Sequence, residues 1–445
     1  MASIRASSKP LWQRILFATE RYGQDELANH AAAGAYAFLL SATPAVLLVL
    51  GIAGAVLRAA PAAFDGIERL VSGLLAPLDA ASAARAFFSR PMGGIGAVVG
   101  ALSLVWAARL FVVTVQRGIR VIWAAAGRNA PVKENVLTFA LELACLVAAV
   151  AVLAAAQAAR LVAADGAGLL GPVAARLVAA AAGLAPAAVL FLFVYASYRY
   201  IPATRPPVRV AAGSAALCVA SYAALSRVFA LFINSGRYAL LYGFFGSLIL
   251  LLANVYAFFC LFYFFAEVAY VEEHLDALLL GRFRRLTGKI PAGGVAARLE
   301  RSLFLEPERL MRSYGRSFEA GRTVFEAGSK GKSIYVVHRG SIAAVAPGGI
   351  RVGTIGPGEL FGEMASLLDE ERTATALALE DCFLLEIPPE VFEAYLRTDA
   401  EANRRLVASL STRLKEANAR LRSDRGVPPR AGEEGRKDAS RDGGQ

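Results

Sequence analysis

The sequence predicts an α-helical polytopic membrane domain of about six spans, followed by a soluble α+β domain built as a β-roll or jelly roll with flanking helices. Three observations predict it. The 445-residue chain is 56% hydrophobic and 19% charged, a balance rare among soluble globular proteins. Ionisable residues are sparse from Ala31 to about Val271 and then recur every few residues from Glu272 to Gln445, which divides the chain into a membrane half and a soluble half. From Phe318 the long apolar runs give way to short alternating strands punctuated by glycine.

Residues 1–30 mix basic and acidic side chains and hold no short apolar core followed by a small-residue cleavage site, so they do not read as a signal peptide. Leu11, Ile15, Leu16 and Phe17, interleaved with Gln13, Arg14 and Glu20, predict an amphipathic helix on the inner membrane surface. A helix needs about 20 apolar residues to cross the hydrocarbon core, where unpaired backbone groups are costly. Within residues 31–272 the stretches Ala31–Leu57, Gly94–Gln116, Asn135–Ala158, Leu177–Tyr198, Val208–Ile233 and Phe244–Val271 meet that demand, and Pro44 predicts a kink in the first.

Orientation follows from the connections. Arg14 and Arg21, then Arg117 and Arg120, then Arg199 and Arg205, then Arg284 and Arg285 fall on one side, which is therefore cytoplasmic. An even number of spans places both termini there. Much of the formal charge of +11 lies beside apolar runs in this way, so no nucleic-acid partner is expected. Cys145, Cys218, Cys260 and Cys382 occur singly and read as packed hydrophobes, not as a disulfide framework or zinc site.

Charges inside a span are costly and usually face a partner or a water-filled path, which singles out Arg109, Glu142 and Glu267. Arg109 lies about seven residues from the inner end of the second span and Glu142 about seven from the inner start of the third, each about 10 Å deep by helix rise. A hairpin brings them level, either as an ion pair that fixes packing or as part of a substrate or proton path. Glu267, near the inner end of the sixth span, is placed to join them or to snorkel.

The segments His30-Ala-Ala-Ala-Gly-Ala-Tyr-Ala-Phe-Leu-Leu-Ser-Ala-Thr-Pro44, Tyr242-Gly-Phe-Phe-Gly-Ser-Leu-Ile-Leu-Leu251 and Phe265-Ala-Glu-Val268 resemble the BrkB/YihY family of bacterial inner-membrane proteins. The resemblance covers roughly residues 10–275 and implies six spans in the bacterial inner membrane. One branch of the family carries a virulence-factor name, and an older label is ribonuclease BN. RNA hydrolysis needs a general acid and base or a metal cluster. His30, His274 and His338 are the only histidines and no metal-ligand spacing surrounds them, so a nuclease is not expected.

In the soluble half, Pro291, Gly293 and Gly294 predict a linker over residues 273–294, and a helix from about Val295 to Tyr314 leads into the roll. The domain is expected over residues 295–423, with Gly321, Gly328 and Gly340 at its turns. The segment Gly358-Glu-Leu-Phe-Gly-Glu-Met-Ala-Ser-Leu-Leu-Asp-Glu-Glu-Arg-Thr-Ala-Thr-Ala376 closely resembles the phosphate-binding cassette of cyclic-nucleotide-binding domains. That resemblance implies Glu363 on the ribose 2′-hydroxyl, Arg372 on the cyclic phosphate with Thr373 beside it, and amides near Gly362, Met364 and Ala374 cradling the ligand. The chemistry is apt, because a guanidinium fork meets a phosphodiester anion better than an ammonium does. Thr373 does not choose between cAMP and cGMP.

After the roll, Pro388–Leu396 and a stretch from Ala402 to about Leu421 read as helices. Leu406, Leu410 and Leu414 on one face of the second suit a lid over the base, simple packing or a homo-oligomer contact. The charged, Gly/Pro-containing tail over residues 424–445 is expected to be disordered.

The two resemblances together imply a bacterial inner-membrane protein, transporter- or exporter-like, regulated by cytoplasmic cAMP or cGMP. The alternative is a non-transporting envelope or scaffold protein. A membrane lipid enzyme stands behind both, since no nucleophile–base pair is visible. The expected partners are the lipid bilayer, the cyclic nucleotide and a second copy of the chain; no cofactor or metal is expected.

Overall fold

The structure, a computed structural model, describes residues 2–41, 94–123, 172–233, 237–288, 295–399, 401–404, 406–408 and 411. It divides into two compact units, Met1–Glu273 and His274–Gln445.

The first unit is helical among the described residues: α1 (Ala2–Gln24), α2 (27–41), α3 (Gly94–Ile122), α4 (Pro172–Tyr200), α5 (Val208–Ile233) and α6 (Arg237–Glu273). Among the described residues three helices are long and apolar enough to cross a membrane, over Arg176–Tyr200, Val208–Ala230 and Ile249–Glu273, in the places of the fourth, fifth and sixth expected spans. Helix α3 covers the expected second span and α2 the start of the first. The expected third span, with Glu142, and the remainder of the first, with Pro44, lie outside the described residues.

The core of this unit is aromatic. Phe258, Phe259, Phe262 and Tyr263 of α6 pack among Ile119 of α3 and Tyr198 of α4. The Tyr198 hydroxyl donates to the Phe262 carbonyl at 2.5 Å, so a fully buried polar group finds its partner on a neighbouring helix. Small residues make the approach close. A Cβ on Gly34 would lie 3.0 Å from the Phe259 ring, and one on Gly118 would run into the Tyr263 phenol. Helix α1 divides the apolar residues expected on one face: Phe17 is buried together with Gln13 and Ala18, while Leu11, Trp12, Ile15 and Leu16 are exposed.

The second unit opens with α7 (Leu275–Gly288), α8 (Val295–Phe304) and α9 (Glu308–Tyr314). Two expectations need correction. The linker expected over residues 273–294 is largely helix, because Leu275, Leu279 and Phe283 recur at helical spacing and are all buried. The glycines and proline that suggested a linker fall after α7, outside the described residues. The single helix expected from Val295 to Tyr314 is two, interrupted before Pro307, whose missing N–H and fixed φ end one ladder and serve as the cap of the next.

The roll consists of β1 (Gly315–Phe318), β2 (Thr323–Phe325), β3 (Ile334–Arg339), β4 (Ile342–Val345), β5 (Arg351–Ile355), β6 (Leu360–Phe361), β7 (Thr375–Ala378) and β8 (Cys382–Ile387). They form two four-stranded antiparallel sheets, ordered β1-β8-β3-β6 and β2-β7-β4-β5. Two further helices, α10 (Glu363–Leu368) and α11 (Pro389–Thr398), complete the unit. Apart from the β4–β5 hairpin, consecutive strands alternate between sheets, so the residues that close the core, Tyr335, Val337, Ile342, Phe361, Ala376 and Leu384, come from both.

His338 on β3 lies between the rings of Phe283 and Phe383, at centroid distances of 5.5 and 5.8 Å. Burial, and then the neighbouring Arg339 charge, lower its pKa below the ordinary 6.5. The unfolded chain therefore takes up the proton more readily than the fold does, and stability is lost as pH falls through 6.5 toward the folded value. Amide exchange in β3 is expected to accelerate as pH is lowered from about 7 to about 5, after correction for intrinsic rates. His338→Gln is expected to flatten that dependence.

Candidate functional site

The site is built where the chain crosses from one sheet to the other. Strand β6 pairs with β3, Tyr335 opposite Phe361. The chain then turns at Gly362, with φ of 80°, into the short helix α10, which ends at Asp369 with φ of 56°. The return is pinned by two backbone bonds: Arg372 N–H donates to the Ser329 carbonyl at 3.0 Å and Gly328 N–H to the Arg372 carbonyl at 2.8 Å. The Thr375 hydroxyl accepts from the Ala327 amide at 3.0 Å, where β7 begins. The cassette is thus stapled to one sheet at its start and to the other at its end.

Arg372 is the centre of this arrangement. Only 5% of the residue is exposed, yet its guanidinium is held at both ends. Nη1 donates to the Gly362 carbonyl and Nη2 to the Ser333 carbonyl, each at 2.7 Å. The plane sits 4.2 Å from the Phe325 ring centroid and 5.9 Å from that of Tyr335. Burial lowers its pKa, against the opposing pull of Tyr335, Glu363 and Glu386; a guanidinium nevertheless stays charged. It carries five N–H donors, and both carbonyls that hold it are neutral.

Of the other expected cassette residues, Glu363 is buried at the first position of α10, Met364 and Ala374 are half-buried, and Thr373 is exposed. The Arg372 bond to Gly362 brings the two halves of the cassette together. Sequence reasoning missed Phe325, Tyr335 and Ser333, which position the arginine from the sheets and the turn before β3, and also missed the Lys332–Asp369 ion pair at 2.7 Å. A β2 aromatic beneath an arginine 47 positions later leaves no local signal, whereas Ser333 could have been suspected from its place in a Gly/Ser turn.

The membrane candidates separate. Arg109 is exposed on α3, and its expected partner Glu142 lies outside the described residues. Glu267 is fully buried on α6 and pairs with Arg21 of α1, Nε to Oε2 at 3.0 Å, so it neither snorkels nor needs Arg109. Among the described residues no cluster of three or more His, Cys, Asp or Glu side chains could hold a metal ion.

Two antiparallel sheets closed into a roll, with a glutamate and a buried arginine nine positions apart on one cassette, define a cyclic-nucleotide-binding domain, and the model of that domain matches residues 315–399. The chain belongs to the family described as virulence factor BrkB, whose model matches residues 18–282, more than half of its length.

Over 111 residues the chain is 40% identical to the cyclic AMP receptor protein of Thermus thermophilus, a match that covers 24% of this chain and 51% of that protein. Over 110 residues it is 34% identical to glutaminase 2 of Bradyrhizobium diazoefficiens, covering 24% and 18%. The chain therefore spans about half the length of the first relative and under a fifth of the second. Among solved structures, the Thermus thermophilus catabolite activator protein is similar at 36% identity with a TM-score of 0.23, over 26% of this chain and 57% of that one.

Proposed function

We propose that this chain is a non-enzymatic bacterial inner-membrane protein whose membrane half, transporter- or exporter-like, changes state when a cytoplasmic cyclic nucleotide binds the roll. The observation that carries the reading is Arg372: a buried cation held by two neutral carbonyls, oriented but not neutralised by them. Burying a charge is costly unless a counter-charge meets it, and a phosphodiester anion is that counter-charge. Glu363 then accepts from the ribose 2′-hydroxyl, Thr373 lies beside the phosphate, and amides near Gly362, Met364 and Ala374 complete the cradle. The likeness to a cyclic AMP receptor protein makes cAMP the first ligand to try and cGMP the second.

A nucleotide shifts the membrane half only by its differential affinity for two states. Both termini are cytoplasmic in this reading, because the nucleotide is. The test is amide hydrogen exchange on the full chain in lipid nanodiscs, with and without each nucleotide. Protection across residues 358–376 together with altered exchange in the span Ile249–Glu273 is the expected result. Cassette protection with an unchanged span would sink the regulatory reading, and no protection with either nucleotide would sink the sensor itself. A chain cut after Glu273 is expected to insert in the membrane and to show no nucleotide response.

A further inference from the structure

Glu267 on α6 is incompletely satisfied. Its Oε2 accepts from Arg21, but Oε1 is buried with no hydrogen-bond partner among the described residues. One helical turn earlier, on the same face, the Tyr263 hydroxyl is buried in the same condition. Arg21 does not serve Glu267 alone. Its Nη2 also donates to Asp25 Oδ2 at 3.3 Å and to the Ile122 carbonyl at 3.3 Å, and its guanidinium lies 4.3 Å from the Tyr270 ring centroid. Asp25 sits in the turn that follows α1, one quarter exposed, and shares the Arg21 guanidinium with Glu267.

One guanidinium therefore stands between two carboxyls. With both ionised the trio carries a net negative charge, and one carboxylate oxygen lacks any donor in a buried place. An unsatisfied buried acceptor costs about 1–3 kcal/mol, more when charged, and two carboxylates sharing a site resist joint ionisation. Among the described residues the surroundings do not relieve this. On α1, Arg14 is committed to Glu272 at 2.7 Å. On α6, Glu273 adds negative charge and accepts from Trp123 of α3. From α2 the His30 ring lies against the Tyr263 ring at 6.3 Å, and from α4 the Tyr198 hydroxyl is spent on the Phe262 carbonyl. A metal cation is repelled by the interposed arginine, whereas a single proton neutralises the trio and supplies the missing O–H.

We propose that Asp25 and Glu267, bridged by Arg21, form a proton-binding site that holds one exchangeable proton between the two carboxyls. Asp25 gives it contact with the surface. Glu267, six residues before the end of the span Ile249–Glu273, places it about 9 Å along the helix by the rise per residue, with the Tyr263 hydroxyl one turn further in. The site does not depend on the nucleotide reading, and its test uses no nucleotide.

The experiment is infrared difference spectroscopy of the full chain in lipid nanodiscs across a pH series, reading the C=O stretch of a neutral carboxylic acid and its shift in heavy water. The wild type is expected to show one such group near neutral pH that is lost in Glu267→Gln. In Asp25→Asn, Glu267 no longer shares Arg21 with a second carboxylate, so its titration midpoint is expected to fall by about one pH unit or more, a tenfold weaker hold on the proton. A wild type with no neutral carboxyl near neutral pH overturns the proposal, as does a band that survives Glu267→Gln. An unmoved midpoint in Asp25→Asn also overturns it, and that variant stands alone if Glu267→Gln does not fold.

Discussion

Replacing Arg372 with alanine is expected to abolish measurable cyclic-nucleotide binding while leaving the roll folded. In the wild type the guanidinium is fixed before any ligand arrives, by two 2.7 Å bonds to carbonyls and by the Phe325 ring beneath it, so little side-chain freedom is lost on binding. Truncating one partner of a buried, hydrogen-bonded charge pair costs about 2–5 kcal/mol, which is about 30-fold to several-thousand-fold in affinity. Calorimetric titration of cAMP and cGMP into the detergent-solubilised full chain reads this directly. Arg372→Lys keeps the charge but cannot reach both carbonyls with a planar fork, and an intermediate loss is expected. The stability change in Arg372→Ala is expected to be small, because loss of a costly buried charge offsets the two carbonyls left without donors. Undiminished binding by Arg372→Ala would remove the arginine from the site.

Phe283→Ala is expected to destabilise the second unit by about 3–5 kcal/mol, the usual cost of deleting a buried aromatic side chain. Phe283 is fully buried and its ring meets His338 of β3. Around it, α7 is tied into the same unit by Arg284, which donates to the Tyr395 hydroxyl at 2.8 Å and to the Gly358 carbonyl at 3.3 Å. Were residues 273–294 a passive linker, the substitution would cost almost nothing. Denaturant dependence of amide exchange in β3 and β8 separates these outcomes, since a core residue lowers protection across both strands and a linker residue lowers neither.

The legible parts of this chain are those whose physics is local. Glu363 and Arg372 lie nine positions apart with glycines before them, so the cassette shows in a single window. Helices α4, α5 and α6 show because a continuous apolar run of that length has few other solutions. The illegible parts depend on residues far apart in sequence. Arg21 and Glu267 are separated by 246 positions, and a helix that is apolar all round carries no periodicity to say which face meets a partner. Helix α7 was obscured differently, because Leu275, Leu279 and Phe283 continue the apolar texture of the preceding span while the residues beyond them look like a hinge. Phe325 escaped because it reaches Arg372 through the pairing of β2 with β7, two strands far apart in sequence.

Gly362 offers a way to tell a working sensor from a decorative one by reading a single letter. Its φ of 80° is one that L side chains rarely adopt, and a Cβ there would collide with the Arg372 guanidinium. Any other residue at this step would evict the arginine from its seat even if Arg372 itself were retained. Among chains that share this fusion, inheritance of the arginine is therefore a weaker sign of competence than retention of glycine at position 362.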